Sequence, residues 1–385
     1  MTEEVGQAVP AGQRSSWSSF VKQVISSTGD LSSLTAPPFI LSPTSLTEFP
    51  AYWGEPAEEL IAVAKGATPE ERMILVLKYF IATLKGQYTT RESQTGSEKK
   101  PLNPILGELH FGQWETSAGP TKLIVEQVSH HPPITAYHLE NEKAGVKLTG
   151  HSGQKTSFSG KSIFVKQSGF AMLSINVPGL SEPERYLITL PKLRIDGILM
   201  GSPYIELSDE SFIQSSAGHN AVIKFSGAGW VTGKAHTFKA QVAVSPEHIK
   251  SLLYTIEGQW TGNSKVTKSS GKILSEGSQF LDVPKASVNW KPAQVKPESE
   301  MGPMESRRVW KDVAAGIRSG NFDQASVAKG KLENEQRTQR KNEQAKNELW
   351  QLQFFDKIGS DAEYGALAKK SNFTPNESES FKLKA

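Results

Sequence analysis

Two adjacent histidines stand in the run Glu126-Gln127-Val128-Ser129-His130-His131-Pro132-Pro133. Imidazole groups at neutral pH can ligate a metal, act as a base or donate hydrogen bonds to an anion. A metal centre fits poorly. The chain holds no cysteine and no His-x-x-x-His helical pair, and successive side chains of a strand diverge. Hydrolysis through Ser129 or His130 has no supporting elbow, since no Gly-x-Ser-x-Gly occurs. Phosphate suits the pair better, because imidazole N–H groups donate to anionic oxygens. The prolines end the preceding strand, one lacking a donor and the other restricting its neighbour, so the histidines sit at a strand end near a rim. The residues alone leave two readings open: structural or surface histidines, or phosphate donors.

Two further patterns carry chemistry. Lys329, Glu333 and Arg337 are spaced i, i+4, i+8, which puts all three on one helical face. Such a stripe is either a solvated salt-bridge ladder or an anion-binding face. Near the N-terminus Trp17, Phe20, Val21, Val24 and Ile25 form one apolar stripe, opposed by Ser18, Ser19, Lys22, Gln23, Ser26 and Ser27. A polar face with so little charge suits a helix lying on loosely packed lipid, or one packed on the protein's own core. Two other motifs are discarded. Gly160-Lys161-Ser162 is no phosphate loop, because Lys155 stands where the first glycine is needed. Phe354-Phe355-Asp356 reads as a packed helix end.

The elements that must position these residues fall into four zones, with no internal repeat. Residues 1–30 hold the amphipathic segment. Residues 31–104 form a helical layer with one well-marked helix, opened by the capping box Thr68-Pro69-Glu70-Glu71 and ended at Gly86. Ile74, Leu77, Ile81 and Leu84 give that helix its buried face. From 105 to 284 short β-prone runs follow one another, at 121–128, 134–139, 162–167, 169–177, 185–190, 221–226, 236–244 and 252–258. Many strands without intervening helices predict an antiparallel sheet, and closure into a barrel avoids long exposed edges. A barrel of that size is wider than side chains alone fill, so it should enclose a cavity. Residues 285–385 become helical and charged, with a solvated Lys/Glu/Arg/Gln run at 329–348.

Composition narrows the function classes. With 43 Lys and Arg against 40 Asp and Glu the net charge is only +3, which does not indicate a nucleic-acid binder. The lack of cysteine excludes disulfides, cysteine-based zinc sites and thiol catalysis, and points to a reducing compartment. The polar stretch from Met1 to Arg14 is no signal peptide. Met73 to Leu84 is too short to span a bilayer and is broken by Lys78. The glycosylation patterns at Asn372 and Asn376 are read as chance. A cytosolic protein is expected.

Glu126 to Pro133 resembles the signature octapeptide of the oxysterol-binding-protein family. Lys100-Pro101-Leu102-Asn103-Pro104-Ile105-Leu106-Gly107-Glu108 resembles a second block of that family. Gly258-Gln259-Trp260 and the run from Glu305-Ser306-Arg307 to Trp310 resemble two more, all in the expected order. The chain is similar to the short, single-domain fungal form without pleckstrin-homology or ankyrin modules. The resemblance implies an α+β fold: a large near-closed antiparallel β-barrel enclosing a lipid tunnel, with an N-terminal lid and flanking helices. It implies a lipid carrier and not an enzyme, with no cofactor and no metal. The lipids would be a sterol and phosphatidylinositol 4-phosphate, exchanged through one shared tunnel. By position the phosphoinositide headgroup would be held by Lys100, Asn103, His130, His131, Lys155, Lys329, Glu333 and Arg337. Sterol contacts would be Trp53, Gln87, Tyr88, Ser152 and Gln167, with Ser152 standing where the family has asparagine. Trp17, Phe20, Val21, Val24 and Ile25 would face membrane or tunnel as a lid. The implied location is cytoplasmic, with transient attachment to Golgi or endoplasmic-reticulum membranes. A phosphoinositide and sterol sensor, or a lipid hydrolase, are the alternative functions.

Overall fold

A computed structural model describes residues 11–27, 31, 34, 36–95, 98–130, 132–228, 233–244, 252–270, 273–274, 278–348, 350–371 and 379–384. The amphipathic stripe forms helix α1 (Arg14–Ser26). Strand β1 (Leu41–Ser45), a 3-10 stretch over Leu46–Trp53 and helix α2 (Ala57–Ala62) lead to helix α3 (Pro69–Thr95). The capping box operates there: Thr68 Oγ1 accepts the Glu71 N–H at 3.2 Å, and the Glu71 carboxylate accepts the Ala67 N–H at 2.8 Å. The predicted stop at Gly86 does not occur. The helix runs through it, because a Cβ at Gly86 would come within 2.8 Å of the Glu55 carboxylate and 3.2 Å of Tyr52. This glycine marks a close approach, not an end. Leu77, Ile81 and Leu84 are fully buried as expected, but so are Met73, Val76 and Phe80, while Ile74 is half-buried. A helix apolar around most of its girth belongs inside a fold.

Strand β2 (Lys100–Leu102) pairs in parallel with β1. The main sheet then begins as a meander of β3 (Leu109–Thr116), β4 (Gly119–His130), β5 (Pro133–Asn141), β6 (Val146–Ser159), β7 (Ser162–Ile175) and β8 (Glu184–Thr189). A hairpin of β9 (Lys192–Asp196) and β10 (Tyr204–Ser208) attaches to β7 through β9. Strand β11 (Glu210–Ser215) returns to β8, and β12 (His219–Ser226), β13 (Thr237–Val244), β14 (Leu252–Gln259), β15 (Asn263–Ser270) and β16 (Ile273–Leu274) follow in order. Strand β17 (Ser278–Asp282) pairs back onto β15. All pairings in this 15-stranded sheet are antiparallel. The two predicted runs at 162–167 and 169–177 are one strand. Gly169 adopts φ +90° because a Cβ there would lie 2.1 Å from the His151 carbonyl oxygen, and the strand bends without ending.

Closure takes a particular form. Among the described residues no strand ladder joins β3 to the far end of the sheet. The chain leaving β17 passes through helix α4 (Val283–Ala286) and lies along the free edge of β3. Gln113 and Gln294 exchange backbone hydrogen bonds at 3.0 and 2.8 Å, and Leu109 N–H donates to the Met304 carbonyl at 2.8 Å. The edge is covered by irregular chain instead of a final strand, which removes the exposed pairing template equally well.

The C-terminal region contributes helices α5 (Ser306–Val309), α6 (Lys311–Arg318) and α7 (Phe322–Lys346), strand β18 (Phe355–Ile358), helix α8 (Ala362–Lys370) and strand β19 (Ser380–Leu383). Two buried carboxylates hook it to the sheet. Glu108 accepts Ser306 Oγ at 2.8 Å, Trp310 Nε1 at 2.8 Å and the Ile105 N–H at 3.0 Å. Burial raises the Glu108 pKa, and these donors oppose the rise. Glu126 accepts the N–H groups of Gln353, Phe354 and Phe355 at 2.7, 2.9 and 3.2 Å. The run Phe354-Phe355-Asp356 is therefore no helix end. Phe355 is fully buried and opens β18, which pairs with β19. The glycosylation patterns at Asn372 and Asn376 lie outside the described residues.

Replacing Glu126 by alanine strands backbone N–H donors against a buried strand, at a cost of about 3 kcal/mol or more. The exposed Lys224–Glu210 pair is worth at most about 1 kcal/mol. Urea unfolding of Glu126→Ala and Glu210→Ala should separate by that margin, and equal midpoints would contradict the role given to Glu126.

Candidate functional site

The inner face of the sheet surrounds a cavity of about 500 Å³. Strand alternation supplies its walls: Ser152, Gln154 and Thr156 from β6, with Ile163, Val165 and Gln167 from β7. Leu193, Ile195 and Ile205 of the β9–β10 hairpin continue the apolar lining. Gln87 and Tyr88 of α3 and Trp53 of the 3-10 stretch complete it. The five residues expected to touch a sterol, Trp53, Gln87, Tyr88, Ser152 and Gln167, thus meet in one space.

Four of them are tied through polar atoms to protein partners. Gln167 Nε2 donates to the Tyr88 hydroxyl at 2.8 Å and to the Pro191 carbonyl at 2.6 Å. Gln87 Nε2 donates to Thr83 Oγ1 at 2.8 Å. Trp53 is buried and stacks near Phe80 and Tyr137, with centroids 6.2 and 6.3 Å away. Its carbonyl accepts the Tyr79 hydroxyl at 2.7 Å. Burial raises the pKa of Tyr79 and of Tyr137, so both phenols are neutral. Along β6, β7 and the β9–β10 hairpin the walls offer an apolar guest only a few fixed dipoles, while the buried Glu98 also lines the cavity.

Charge gathers at the mouth. Lys100, Asn103 and His130 line the same cavity. Lys100 Nζ donates to Asn103 Oδ1 at 2.8 Å. Lys329 and Glu333 pair on α7, close enough for both to act on Lys100. Burial and then Lys329 push the Lys100 pKa down to about 8, while Glu333 opposes them. Two ammonium groups sharing one carboxylate in a partly desolvated place favour an added anion. His130 sits exposed at the end of β4, paired in register with Pro133, as the prolines require.

Two expected headgroup residues, Arg337 and Lys155, make no contact with this cluster, and a third is not described. His131 lies outside the described residues. Arg337 is on the predicted face of α7, but its guanidinium donates to Asn334 Oδ1 at 2.8 Å on the same helix. Lys155 is exposed and does not line the cavity. It falls between Gln154 and Thr156, so alternation turns it to the outer face of β6. The same alternation brings in Gln154 and Thr156, which the sequence reading missed. It also missed Lys99, which lines the mouth and donates to the Phe39 carbonyl at 3.1 Å.

Helix α1 covers the cavity. Trp17, Phe20 and Val24 are buried and line it; Val21 is half-buried and Ile25 is 54% exposed. Three of the five stripe residues face inward because a helix laid on a surface buries only the centre of a wide stripe. Trp17 meets Phe39, and Phe39 meets Phe322 of α7, at 6.2 and 6.3 Å between centroids. The cover thereby touches the helix that carries the cations. Among the described residues no group of His, Asp and Glu could hold a metal ion. No described helix is long and apolar enough to cross a membrane.

Comparison with known proteins agrees with this architecture. Residues 16–376 match the family model described as oxysterol-binding protein. The chain is 50% identical over 386 residues to Protein KES1 of Mycosarcoma maydis, covering 99% of this chain and 98% of that one. It is 48% identical over 348 residues to Protein kes1 of Schizosaccharomyces pombe, covering 89% and 87%. Among solved structures it is similar to the Osh1 ORD domain in complex with cholesterol, with TM-score 0.73 and 22% identity over 95% of this chain and 86% of that one. It is also similar to the Osh3 ORD of Saccharomyces cerevisiae in complex with PI(4)P, with TM-score 0.68 and 23% identity over 89% and 87%. At those identities the structural likeness is one of fold. The extent of the family match and the identity to full-length relatives settle the kinship: the chain belongs to the oxysterol-binding protein family.

Proposed function

We propose that this protein carries single lipid molecules between membranes, taking a sterol or phosphatidylinositol 4-phosphate alternately into the covered cavity. The observation that carries the reading is the joining of two chemistries in one space. Walls rich in apolar side chains lead to a mouth lined by Lys99, Lys100 and His130, with Lys329 near enough to act on Lys100. A sterol has on the order of 500 Å² of apolar surface, so shielding it from water is worth roughly 12 kcal/mol. A bilayer gives nearly the same relief, which leaves net extraction close to neutral. The obstacle is the crossing of water, and a covered cavity meets that obstacle. The phosphoinositide places its acyl chains in the same space and its phosphate at the mouth, where charge-assisted hydrogen bonds favour it. Lys100, Asn103, His130, Lys329 and Glu333 hold that phosphate in this reading, and Arg337 joins by releasing Asn334. We place the protein in the cytoplasm, visiting Golgi and endoplasmic-reticulum membranes, and assign it carriage without chemical conversion of the lipid. The solved relatives named for cholesterol and for PI(4)P support both cargoes.

The direct test is exchange between two vesicle populations, one with fluorescent sterol and one with phosphatidylinositol 4-phosphate. Each lipid should accelerate movement of the other, and both should be recovered intact by mass spectrometry. Simultaneous occupancy, or a hydrolysed product, would overturn the reading.

Variants should split the two cargoes. His130→Ala and Lys329→Ala each remove a charge-assisted contact worth about 1.5–3 kcal/mol. Phosphoinositide extraction should fall roughly 10- to 100-fold while sterol uptake is unchanged; equal loss of both would mean misfolding.

The mouth should also respond to pH. Lys100 must be protonated to attract phosphate, and its pKa is lowered to about 8. The phosphate is already dianionic above its second pKa near 6. Affinity for the phosphoinositide should therefore drop about tenfold from pH 7 to pH 9, with sterol affinity flat. A flat phosphoinositide profile would remove Lys100 from the site.

A further inference from the structure

The turn between β9 and β10 shows two opposite faces. Ile198, Pro203 and Ile205 line the cavity. Between them Leu199 is 46% exposed and Met200 82% exposed. The exposure is built into a tight, hydrogen-bonded turn. Gly197 and Gly201 take φ of +73° and +75°, the left-handed region where glycine is free of strain. The Met200 and Ser202 N–H groups both donate to the Gly197 carbonyl, at 3.0 and 3.2 Å. The Glu98 N–H donates to the Pro203 carbonyl at 3.3 Å, which joins the turn to the segment bearing Lys99 and Lys100, so two large apolar side chains are held in water beside the mouth.

The tip of the β6–β7 hairpin lies alongside. Ser162 Oγ donates to Asp196 Oδ1 at 2.5 Å, and Ile163 pairs with Ile195. On the outer face of that hairpin Lys155 and Lys166 are exposed and directly opposed in register. Like charges placed so repel, and among the described residues neither has an ion-pair partner. An apolar tip backed by uncompensated lysines matches the surface of an anionic bilayer, apolar below and negative at the headgroups.

We propose that Leu199 and Met200 insert into the bilayer, with Lys155 and Lys166 against anionic headgroups, so that the cavity mouth faces the lipid it takes up. The occupant is a membrane because the turn is continuous with the cavity wall on its other side. This inference rests on the lipid-carrier reading, yet its test is separate.

The chain has no cysteine, so Met200→Cys accepts one environment-sensitive dye. Leu180→Cys is the control: Leu180 is 56% exposed and follows the far end of β7, roughly 40 Å along the strand from its Ser162 end. With vesicles containing phosphatidylserine, dye at position 200 should shift to the blue and be quenched by spin labels in the acyl chains, while dye at 180 stays unchanged. Silence at 200, or the same response at both sites, overturns the proposal. Without dye, Leu199→Ser with Met200→Ser should lower vesicle partition about tenfold, and unchanged partition overturns it. Lys155→Gln and Lys166→Gln should each cost about fivefold on anionic vesicles and nothing on neutral ones. Sterol delivered from cyclodextrin should enter the Leu199→Ser, Met200→Ser variant as it enters the native protein. Failure of the native protein to take up sterol would remove the carrier reading, while the dye would still decide insertion.

Discussion

A curled sheet of this width encloses more volume than its own inward side chains fill. Helix α3 answers part of the shortfall. Met73, Val76, Leu77, Phe80, Ile81 and Leu84 are all fully buried, and its C-terminal half presents Gln87 and Tyr88 to what remains hollow. The cavity is the part of the interior that α3 does not reach. A lining of leucine, isoleucine and tryptophan around a void forgoes contacts a packed core would have. An apolar guest would regain those contacts, and α1 with Trp17, Phe20 and Val24 reaches over the cavity.

The cationic mouth depends on a second constraint. Lys329 and Glu333 belong to a helix in which only Ala325 is buried; Phe322, Ala328 and Leu332 lean on the core, and the segments before and after it are tied down. Glu108 fixes the approach through Ser306 and Trp310, and Glu126 fixes the exit through the backbone at 353–355. Glu108 closes the Lys100 block and Glu126 opens the octapeptide, so both carboxylates sit within a few residues of ligand-facing side chains. Each motif thus combines side chains that face the ligand with one carboxylate that serves the scaffold. A buried carboxylate satisfied by three donors is a strong local tie, and its removal leaves those donors unmet.

Much of this was legible in the sequence where local chemistry decided the outcome. The Thr68 capping box, the end of β4 at His130 and the stripe of α1 follow from propensity and period, and the structure keeps all three. What failed was decided by distant contacts. Gly86 reads as a stop until Glu55 is found against it, and Gly169 splits a strand until the His151 carbonyl explains the bend. Phe355 was misread because its strand partner lies beyond α8, at Leu383. Lys155 is a different case. The face it occupies follows from alternation with Ser152, Gln154 and Thr156, a count that the sequence permits once β6 is known to run unbroken to Ser159.

That count has a consequence for selectivity. Because β6 and β7 send one set of side chains inward and the other outward, this hairpin gives the cavity no ammonium group and carries Lys155 and Lys166 outside, while Lys99 and Lys100 stand at the mouth. Inside, the polar atoms of Gln167 and Tyr88 already satisfy each other. A guest with one hydroxyl can replace a bond of that pair at little net change, since one hydrogen bond is exchanged for another. A guest with several polar groups would bury them without partners, at about 1–3 kcal/mol each. The interior therefore selects by what it declines to solvate, and the mouth selects by what it attracts. A lipid with a bare hydroxyl meets only the first filter, and a lipid with a phosphate must satisfy both, which is how one cavity distinguishes two cargoes without needing two sites.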